Sequence, residues 1–536
     1  MIQNPILPGF NPDPSICRVG DDYYIATSTF EWYPGVQIHH STDLENWSLV
    51  ARPLQGAALL NLVGVPDSCG VWAPCLSWCD GLFYLCYTVV RRFDGNFKDT
   101  HNYLTTSPAV EGKWSDPVYL NSSGFDPSLF HDEDGRKWFL NMVWDHRPDR
   151  TFFAGITLQE YCPEKKRLLG KRKFIFKGTE LDCTEGPHLY HYDEHYYLMT
   201  AEGGTGYEHA VTMARAQQIE GPYEVDPEGP VLASQFEPRH PLQRCGHGDL
   251  VETADGRFFL THLCSRPLPG TRRSPLGRES GIQEVVRNAD GWFRLKSGGQ
   301  LPKVEVTGLV EDRELEPGNT IVEELDEFTA ERLPDRYQWL RTPWPESFLS
   351  LTDRPGFLRL YGMESPGSHH HQALVARRQQ HFRYEAITAL SFEPDNFQQL
   401  AGLICYYNAS KFHYCYISRD EDIGKHLAVM SCEGEILLEA VFPAYGSRIP
   451  LPEHVEVFLQ ARIDGAGLEF SWSADGEIWQ AFPAGLDASV LSDEAGKGEG
   501  AQFTGAFVGM ACHDVTGGRQ PADFRFFSYS GMDQDS

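Results

Sequence analysis

Apolar and polar residues alternate with a period of two along much of this chain, the pattern of strands with one face buried. Gly356-Phe-Leu-Arg-Leu-Tyr and Val455-Glu-Val-Phe-Leu-Gln-Ala-Arg-Ile show it, and no stretch carries the spacing of a long amphipathic helix. Over the first 300 residues the alternation sits inside a longer repeat. A turn with Asp or Gly, then paired aromatics, then an aliphatic residue occurs five times: Gly20-Asp-Asp-Tyr-Tyr-Ile, Asp80-Gly-Leu-Phe-Tyr-Leu, Asp134-Gly-Arg-Lys-Trp-Phe-Leu, Asp193-Glu-His-Tyr-Tyr-Leu and Asp255-Gly-Arg-Phe-Phe-Leu. From Tyr23 through Phe83, Trp138, Tyr196 and Phe258 the steps are 60, 55, 58 and 62 residues.

Each copy reads as a hairpin, because Asp-Gly between alternating strands is a strong tight-turn signal. A first strand precedes every turn: Asp13-Pro-Ser-Ile, Trp72-Ala-Pro-Cys-Leu, Asp126-Pro-Ser-Leu-Phe, Glu185-Gly-Pro-His-Leu and His247-Gly-Asp-Leu-Val. Repeats of this length without helical segments predict four-stranded blades around an axis. The chain is therefore expected to be all-β, with a five-bladed propeller over residues 1–300; chance hairpins in a sandwich are the alternative. After Gly298-Gly-Gln-Leu-Pro a polar linker is expected over 301–320. Residues 321–536 return to short strands without the repeat, which predicts a β-sandwich or jelly roll.

Composition narrows the class. Seventy-five Asp+Glu against 46 Lys+Arg give a formal charge of −29, unsuited to nucleic acid. No apolar run approaches a membrane span. The opening MIQNPILPGFNPDPS lacks the basic and apolar regions of a secretory signal, so a cytoplasmic protein is expected. Thirteen cysteines, an odd number without paired CxxC spacing, fit reduced thiols. Cys69, Cys75, Cys79 and Cys86 are read as core residues rather than zinc ligands. His369-His370-His371 is read as a solvated loop.

Equivalent positions of a radial repeat form a ring, which places Asp13, Trp72, Asp126, Glu185 and His247 around one central pocket. Clustered carboxyls raise one another's pKa and are usually kept for catalysis or a metal. Two carboxyls flanking a bond are the working parts of glycoside hydrolysis, one protonated and one ionised. A third beside the acid would keep it protonated, and Phe30, Trp32 and Trp72 offer apolar walls for a sugar face. The same acids with His247 can instead hold a divalent cation. In the second half, Asp326 and Asp523 are candidates for a structural Ca²⁺, with ordinary strand-end acids as the alternative.

Several motifs together resemble glycoside hydrolase family 43 β-xylosidases, in the subgroup that joins a five-bladed propeller to a concanavalin-like β-sandwich. They are Asn11-Pro-Asp-Pro-Ser-Ile, Tyr24-Ile-Ala-Thr-Ser-Thr-Phe-Glu-Trp, Asp126-Pro-Ser-Leu-Phe, Thr184-Glu-Gly-Pro-His-Leu-Tyr, Gly246-His-Gly-Asp-Leu-Val-Glu, Leu276-Gly-Arg-Glu, Leu340-Arg-Thr-Pro and Arg354-Pro-Gly-Phe-Leu-Arg-Leu-Tyr-Gly. The resemblance implies Asp13 as general base, Glu185 as general acid and Asp126 as the group that tunes and orients Glu185. It implies substrate contacts from Phe30, Trp72, His247 and Arg278, and from Phe507 on a loop of the second domain. In some relatives the histidine matching His247 binds an activating divalent cation; no cofactor is expected to be required here. The implied activity is inverting and exo-acting, releasing xylose from β-1,4-xylooligosaccharides, with α-L-arabinofuranosides as side substrates. A homo-oligomer, with a tetramer as one form, is implied as well. Two alternatives stand beside this reading: an enzyme that is primarily an α-L-arabinofuranosidase, and a non-catalytic sugar-binding propeller.

Overall fold

A computed structural model describes residues 1–309, 322–434, 448–483, 485–496 and 502–532. Its regular structure is strand, apart from two three-residue 3-10 turns at Pro345–Ser347 and Ala488–Val490 among the described residues. The chain forms two compact units.

The first unit comprises Met1–Leu60, Ser68–Arg266 and the chain from Arg278 to residue 309. It is the expected five-bladed propeller. The innermost strands of the blades are Ser15–Val19, Gly70–Cys79, Ser128–His131, Glu185–Tyr192 and Gln243–Glu252, each at the edge of its own antiparallel sheet. Each inner strand touches the next, and the fifth touches the first. The predicted turns carry the hairpins: Asp80 and Gly81, with φ of 53° and 77°, join Cys79 to Leu82 as a tight turn with both central residues left-handed.

The second strand of the second blade loses its alternation, because blades pack on both of its faces. Phe83 through Val90 are buried without a break. Between the second and third blades Cys75, Tyr84, Cys86 and Leu104 meet Leu129, Phe139 and Tyr161. Between the fifth and first, Val251, Phe259 and Ile282 meet Ile16, Tyr23 and Ile25. Cys75 and Cys86 thus act as small core hydrophobes, and all thirteen cysteines are unpaired.

The ring is locked by its own ends. Ile2–Gln3 pairs with Glu305–Val306, Leu7 and Ser280 exchange backbone hydrogen bonds, and Asn4 Nδ2 donates to the carbonyls of Ile282 and Lys303 at 2.8 and 2.9 Å. The expected linker is corrected accordingly. Residues 301–309 complete the propeller, and 310–320 lie outside the described residues.

The second unit comprises Asn61–Asp67, Pro267–Gly277 and the described chain from 322 onward. Two antiparallel sheets face each other, as the absence of a long repeat predicted. One sheet contributes Ala386, Leu390, Leu459, Ile463 and Phe524 to the shared core; the other contributes Leu403, Cys405, Ile417, Val508 and Met510. The excursion Asn61–Asp67 is held by Arg341, whose Nε donates to the Val65 carbonyl and Nη2 to Asp67, both at 2.6 Å. His369 lies against the same Asp67, with Nε2 3.7 Å from Oδ2.

The calcium reading of Asp326 and Asp523 is corrected by their partners. Asp523 accepts from Arg354 and Arg359, and Asp326 accepts from Arg336 and Tyr337. Asp326 pairs across the sheet with Phe527, four residues along the strand from Asp523, so the two acids do not converge. Both are strand acids neutralised by arginine.

Candidate active site

The backbone bends within each inner strand or two residues before it. Asp13, Ala73, Asp126, Gly186 and His247 all have left-handed backbones, with φ of 55°, 36°, 54°, 53° and 46°. Non-glycine residues rarely take this conformation, and such strain concentrates at functional sites. These five are the equivalent positions of the repeat, and the expected ring is corrected by one residue in two blades. Trp72 and Glu185 each precede the left-handed residue. The sheet register shifts just after both, between Trp72 and Cys75 and between Glu185 and His188. A one-residue offset turns a side chain to the other face of a strand.

Two positions below the bend the side chains form a polar layer under the acids. Asp249 accepts from Ser15 Oγ at 2.8 Å, Ile16 N at 2.9 Å, Tyr190 Oη at 2.6 Å and Leu250 N at 2.9 Å. Leu76 N in turn donates to Ser15 Oγ at 3.0 Å. One buried carboxylate therefore ties four blades together directly beneath the site. Nothing in the repeat singled it out, since only the leading residues of the copies are ionisable in most blades.

Above that layer the three predicted acids are buried together. Asp13 Oδ2 accepts from Ser28 Oγ at 2.6 Å, and Oδ1 accepts from Arg278 Nη1 at 3.1 Å. Burial works to raise the Asp13 pKa, but Arg278, His247, the Ser28 bond and His209 together outweigh it, and the carboxyl lies below its ordinary value. The other two acids move the opposite way. Burial and the charge of Asp13 push Asp126 up to about 8, although its Oδ2 accepts Gly186 N at 3.0 Å. Burial, then Asp126, then Asp13 push Glu185 well above the ordinary glutamate range, against Arg278 and Lys98. Asp13 is thus the carboxyl favoured to ionise, and Asp126 and Glu185 are the two favoured to hold protons.

The apolar wall is a chain of rings. Phe30 lies 5.8 Å from Trp72, and Trp72 lies 5.5 Å edge-on to Phe125 and 5.9 Å from Phe93. Trp72 Nε1 donates to the Ser68 carbonyl at 3.0 Å, which fixes the indole. The Arg278 guanidinium stacks 5.2 Å from the Phe30 centroid. Trp32, also read as wall, is wholly buried. Phe93, Phe125, Ser28, Lys98 and His209 were not legible as site residues. Phe125 precedes Asp126, but a phenylalanine before a strand is indistinguishable from core by pattern.

Phe507 lies in the second unit. It opens the strand Phe507–Asp514 rather than a loop, and it is fully buried with the Arg378 guanidinium 5.2 Å from its ring centroid.

His247 sits beside Gly186 with Nδ1 4.0 Å from Asp13 Oδ1, and burial takes its pKa down to about 4, so the ring is neutral near pH 7. A divalent cation at His247 would find one imidazole. The Asp13 and Asp249 oxygens are engaged by the donors above, and Arg278 brings a like charge. Among the described residues no three His, Cys, Asp or Glu side chains gather as a metal set. The side chains present do not fit a directly ligated cation.

A buried ring of one ionised and two protonated carboxyls beside an aromatic wall is equipped for acid–base cleavage of a glycoside. Comparison with known proteins agrees. Residues 2–293 match the family model "Glycosyl hydrolases family 43", and residues 325–530 match "Beta xylosidase C-terminal Concanavalin A-like domain". The chain belongs to glycosyl hydrolase family 43. It is 50% identical to xylosidase/arabinosidase 43B of Humicola insolens, covering 100% of this chain and 98% of that one. It is 48% identical to a β-xylosidase of Bacillus subtilis over 98% of this chain and 99% of the relative. The crystal structure of xylan β-1,4-xylosidase from Bacillus halodurans superposes with a TM-score of 0.93 at 50% identity, covering 99% of this chain and 100% of that one.

Proposed function

We propose that this enzyme is an exo-acting, inverting β-1,4-xylosidase that releases xylose from the non-reducing end of xylooligosaccharides. The observation that carries the reading is the split in protonation within one ring. Asp13 is held ionised by Arg278 and Ser28, while Glu185 is driven to keep its proton. Asp13 takes a proton from water as the water oxygen attacks the anomeric carbon. The bond to the leaving oxygen breaks, and Glu185 gives that oxygen its proton. Ionisation of either Asp126 or Glu185 opposes ionisation of the other, and Asp126 Oδ2 accepts the adjacent Gly186 N–H, which orients the acid. Phe30 and Trp72 meet the apolar face of the sugar, and Arg278 and His247 hydrogen-bond its hydroxyls.

The names of the relatives support xylosides as substrates, and one relative is named for both xylosidase and arabinosidase activity. We include α-L-arabinofuranosidase side activity for that reason; relative rates on the two aryl glycosides rank the activities. The reading further takes the enzyme as cytoplasmic, homo-oligomeric and independent of a cofactor. Thirteen unpaired cysteines support the reducing compartment.

Proton NMR of xylobiose hydrolysis tests the chemistry. The α-anomer of xylose is expected first, before mutarotation. Early β-xylose would make Asp13 a nucleophile, and untouched xylobiose would remove the substrate assignment.

A further inference from the structure

We propose that Ser28 is the positioning residue of the reaction: it fixes the carboxylate of Asp13 so that one oxygen is locked and the attacking water meets the group in a single orientation. The proposal deepens the reading above and rests on Asp13 being the base.

Ser28 is fully buried and follows the second strand of the first blade. Its backbone N–H donates to the Pro12 carbonyl at 3.0 Å, one residue before Asp13. Its hydroxyl stands between two inner strands, donating to Asp13 Oδ2 at 2.6 Å while accepting from Ala73 N at 2.7 Å. The direction of both bonds is forced. A backbone N–H can only donate, so Ala73 occupies a lone pair of Oγ, and the one hydroxyl proton is left for the carboxylate. Asp13 and Ala73 are both left-handed residues of the axial ring, in neighbouring blades. Ser28 therefore couples the strained bends of blades one and two and sets the base from that joint.

A carboxylate has about four acceptor sites. Arg278 takes one on Oδ1 and Ser28 takes one on Oδ2, so the plane of the group is fixed at both ends. Arg278 also stacks on Phe30 in the sugar-binding wall, so its bond serves two tasks. Ser28 is fully buried, and Asp13 is the one ionisable group its hydroxyl bonds; its other bond is to the backbone N–H of Ala73. The other ionisable groups acting on Asp13 are His247, His209, Asp126 and Glu185.

The test compares Ser28→Ala, Asp13→Ala and Glu185→Ala on xylobiose and on an aryl xyloside with a highly activated leaving group. An activated leaving group needs little help from an acid, so Glu185→Ala should spare the aryl substrate relative to xylobiose. A defect on the water side is blind to the leaving group. Ser28→Ala is expected to lower kcat by about 10- to 100-fold on both substrates, as a misplaced reacting group does. KM and the inhibition constant for xylose should stay near the parent values. Ser28→Cys, which keeps a weak donor, should fall between alanine and parent, and it carries the test if the alanine variant does not fold. A kcat for Ser28→Ala close to the parent value, or a loss confined to xylobiose, would overturn the proposal. Full activity in Asp13→Ala would instead remove the underlying reading of the base.

Discussion

Glu185 is buried in a position that works against its own ionisation, and this has a consequence for stability as well as for catalysis. In the unfolded chain its carboxyl ionises in the ordinary glutamate range; in the fold it ionises well above that range, because of burial and the acids at Asp126 and Asp13. The folded state therefore holds a proton that the unfolded state releases, and the fold loses stability as pH rises from the unfolded pKa towards the folded one. Glu185→Gln keeps the shape and removes the titration. The melting temperature of the variant should exceed that of the parent by a margin that grows from about pH 5 to about pH 8. A margin that is flat or shrinks over that interval would mean that Glu185 is not the residue holding the proton. The same variant should lose at least about 100-fold in kcat/KM on xylobiose, as expected when a general acid is removed. The acids themselves were legible in the sequence because ionisable residues at the head of buried strands have no structural use. Ser28, Phe93 and Lys98 were not, because each reaches the site from a second strand or a loop whose pattern matches ordinary core and turn.

At the scale of the strand, the axial bend explains both what the repeat revealed and where it misled. Asp13, Asp126 and His247 stand on the left-handed residue, whereas Trp72 and Glu185 stand one residue earlier, beside Ala73 and Gly186. The charged or aromatic leaders of the copies mark the side chains of the site but stand one residue off the bend in two blades. The following proline, in Asp13-Pro14, Ala73-Pro74, Asp126-Pro127 and Gly186-Pro187, marks the bend in four of the five copies. Gly186 tests this account. Its left-handed φ of 53° costs a residue with a Cβ roughly 1–2 kcal/mol. Ala73 shows that the conformation itself is tolerated in the ring. What differs is space: a Cβ on Gly186 would lie 3.1 Å from His247 Cε1 and 3.2 Å from Nε2. Gly186→Ala should therefore displace the imidazole and weaken sugar binding, raising KM for xylobiose more than it lowers the melting temperature. His247→Ala combined with Gly186→Ala should add little further loss in KM, because the two act on the same contact. Fully additive losses would show that Gly186 is needed for the backbone alone.

At the scale of the whole chain, the two-domain division was legible because a 60-residue repeat stops, but two pieces of the second unit lie inside the repeat. Asn61–Asp67 and Pro267–Gly277 carry no repeat signal and no strand alternation, so sequence pattern could not assign them. The boundary at 301 rests on the turn-rich Gly298-Gly-Gln-Leu-Pro and the polar stretch from Val310, and Glu305–Val306 shows that a short closing strand leaves almost no trace in such a pattern. The net charge of −29 draws cations to the molecule in general, which sharpens the question of whether one belongs in the site. The local charges argue otherwise. Arg278 already neutralises Asp13, Asp126 and Glu185 retain protons, and Asp249 is saturated by four donors, so the ring has little negative charge left for an ion. A metal acting on a reacting oxygen contributes several kcal/mol, so its removal would cost about 100-fold or more in kcat. Exhaustive EDTA treatment followed by gel filtration is expected to leave xylobiose hydrolysis unchanged, and added Mg²⁺ or Ca²⁺ should not raise it. A large loss that a divalent cation restores would overturn this expectation and raise the case of an ion held at His247 through water. In that case His247→Ala would abolish the restoration, whereas an ion bound elsewhere on the acidic surface would still restore activity in that variant.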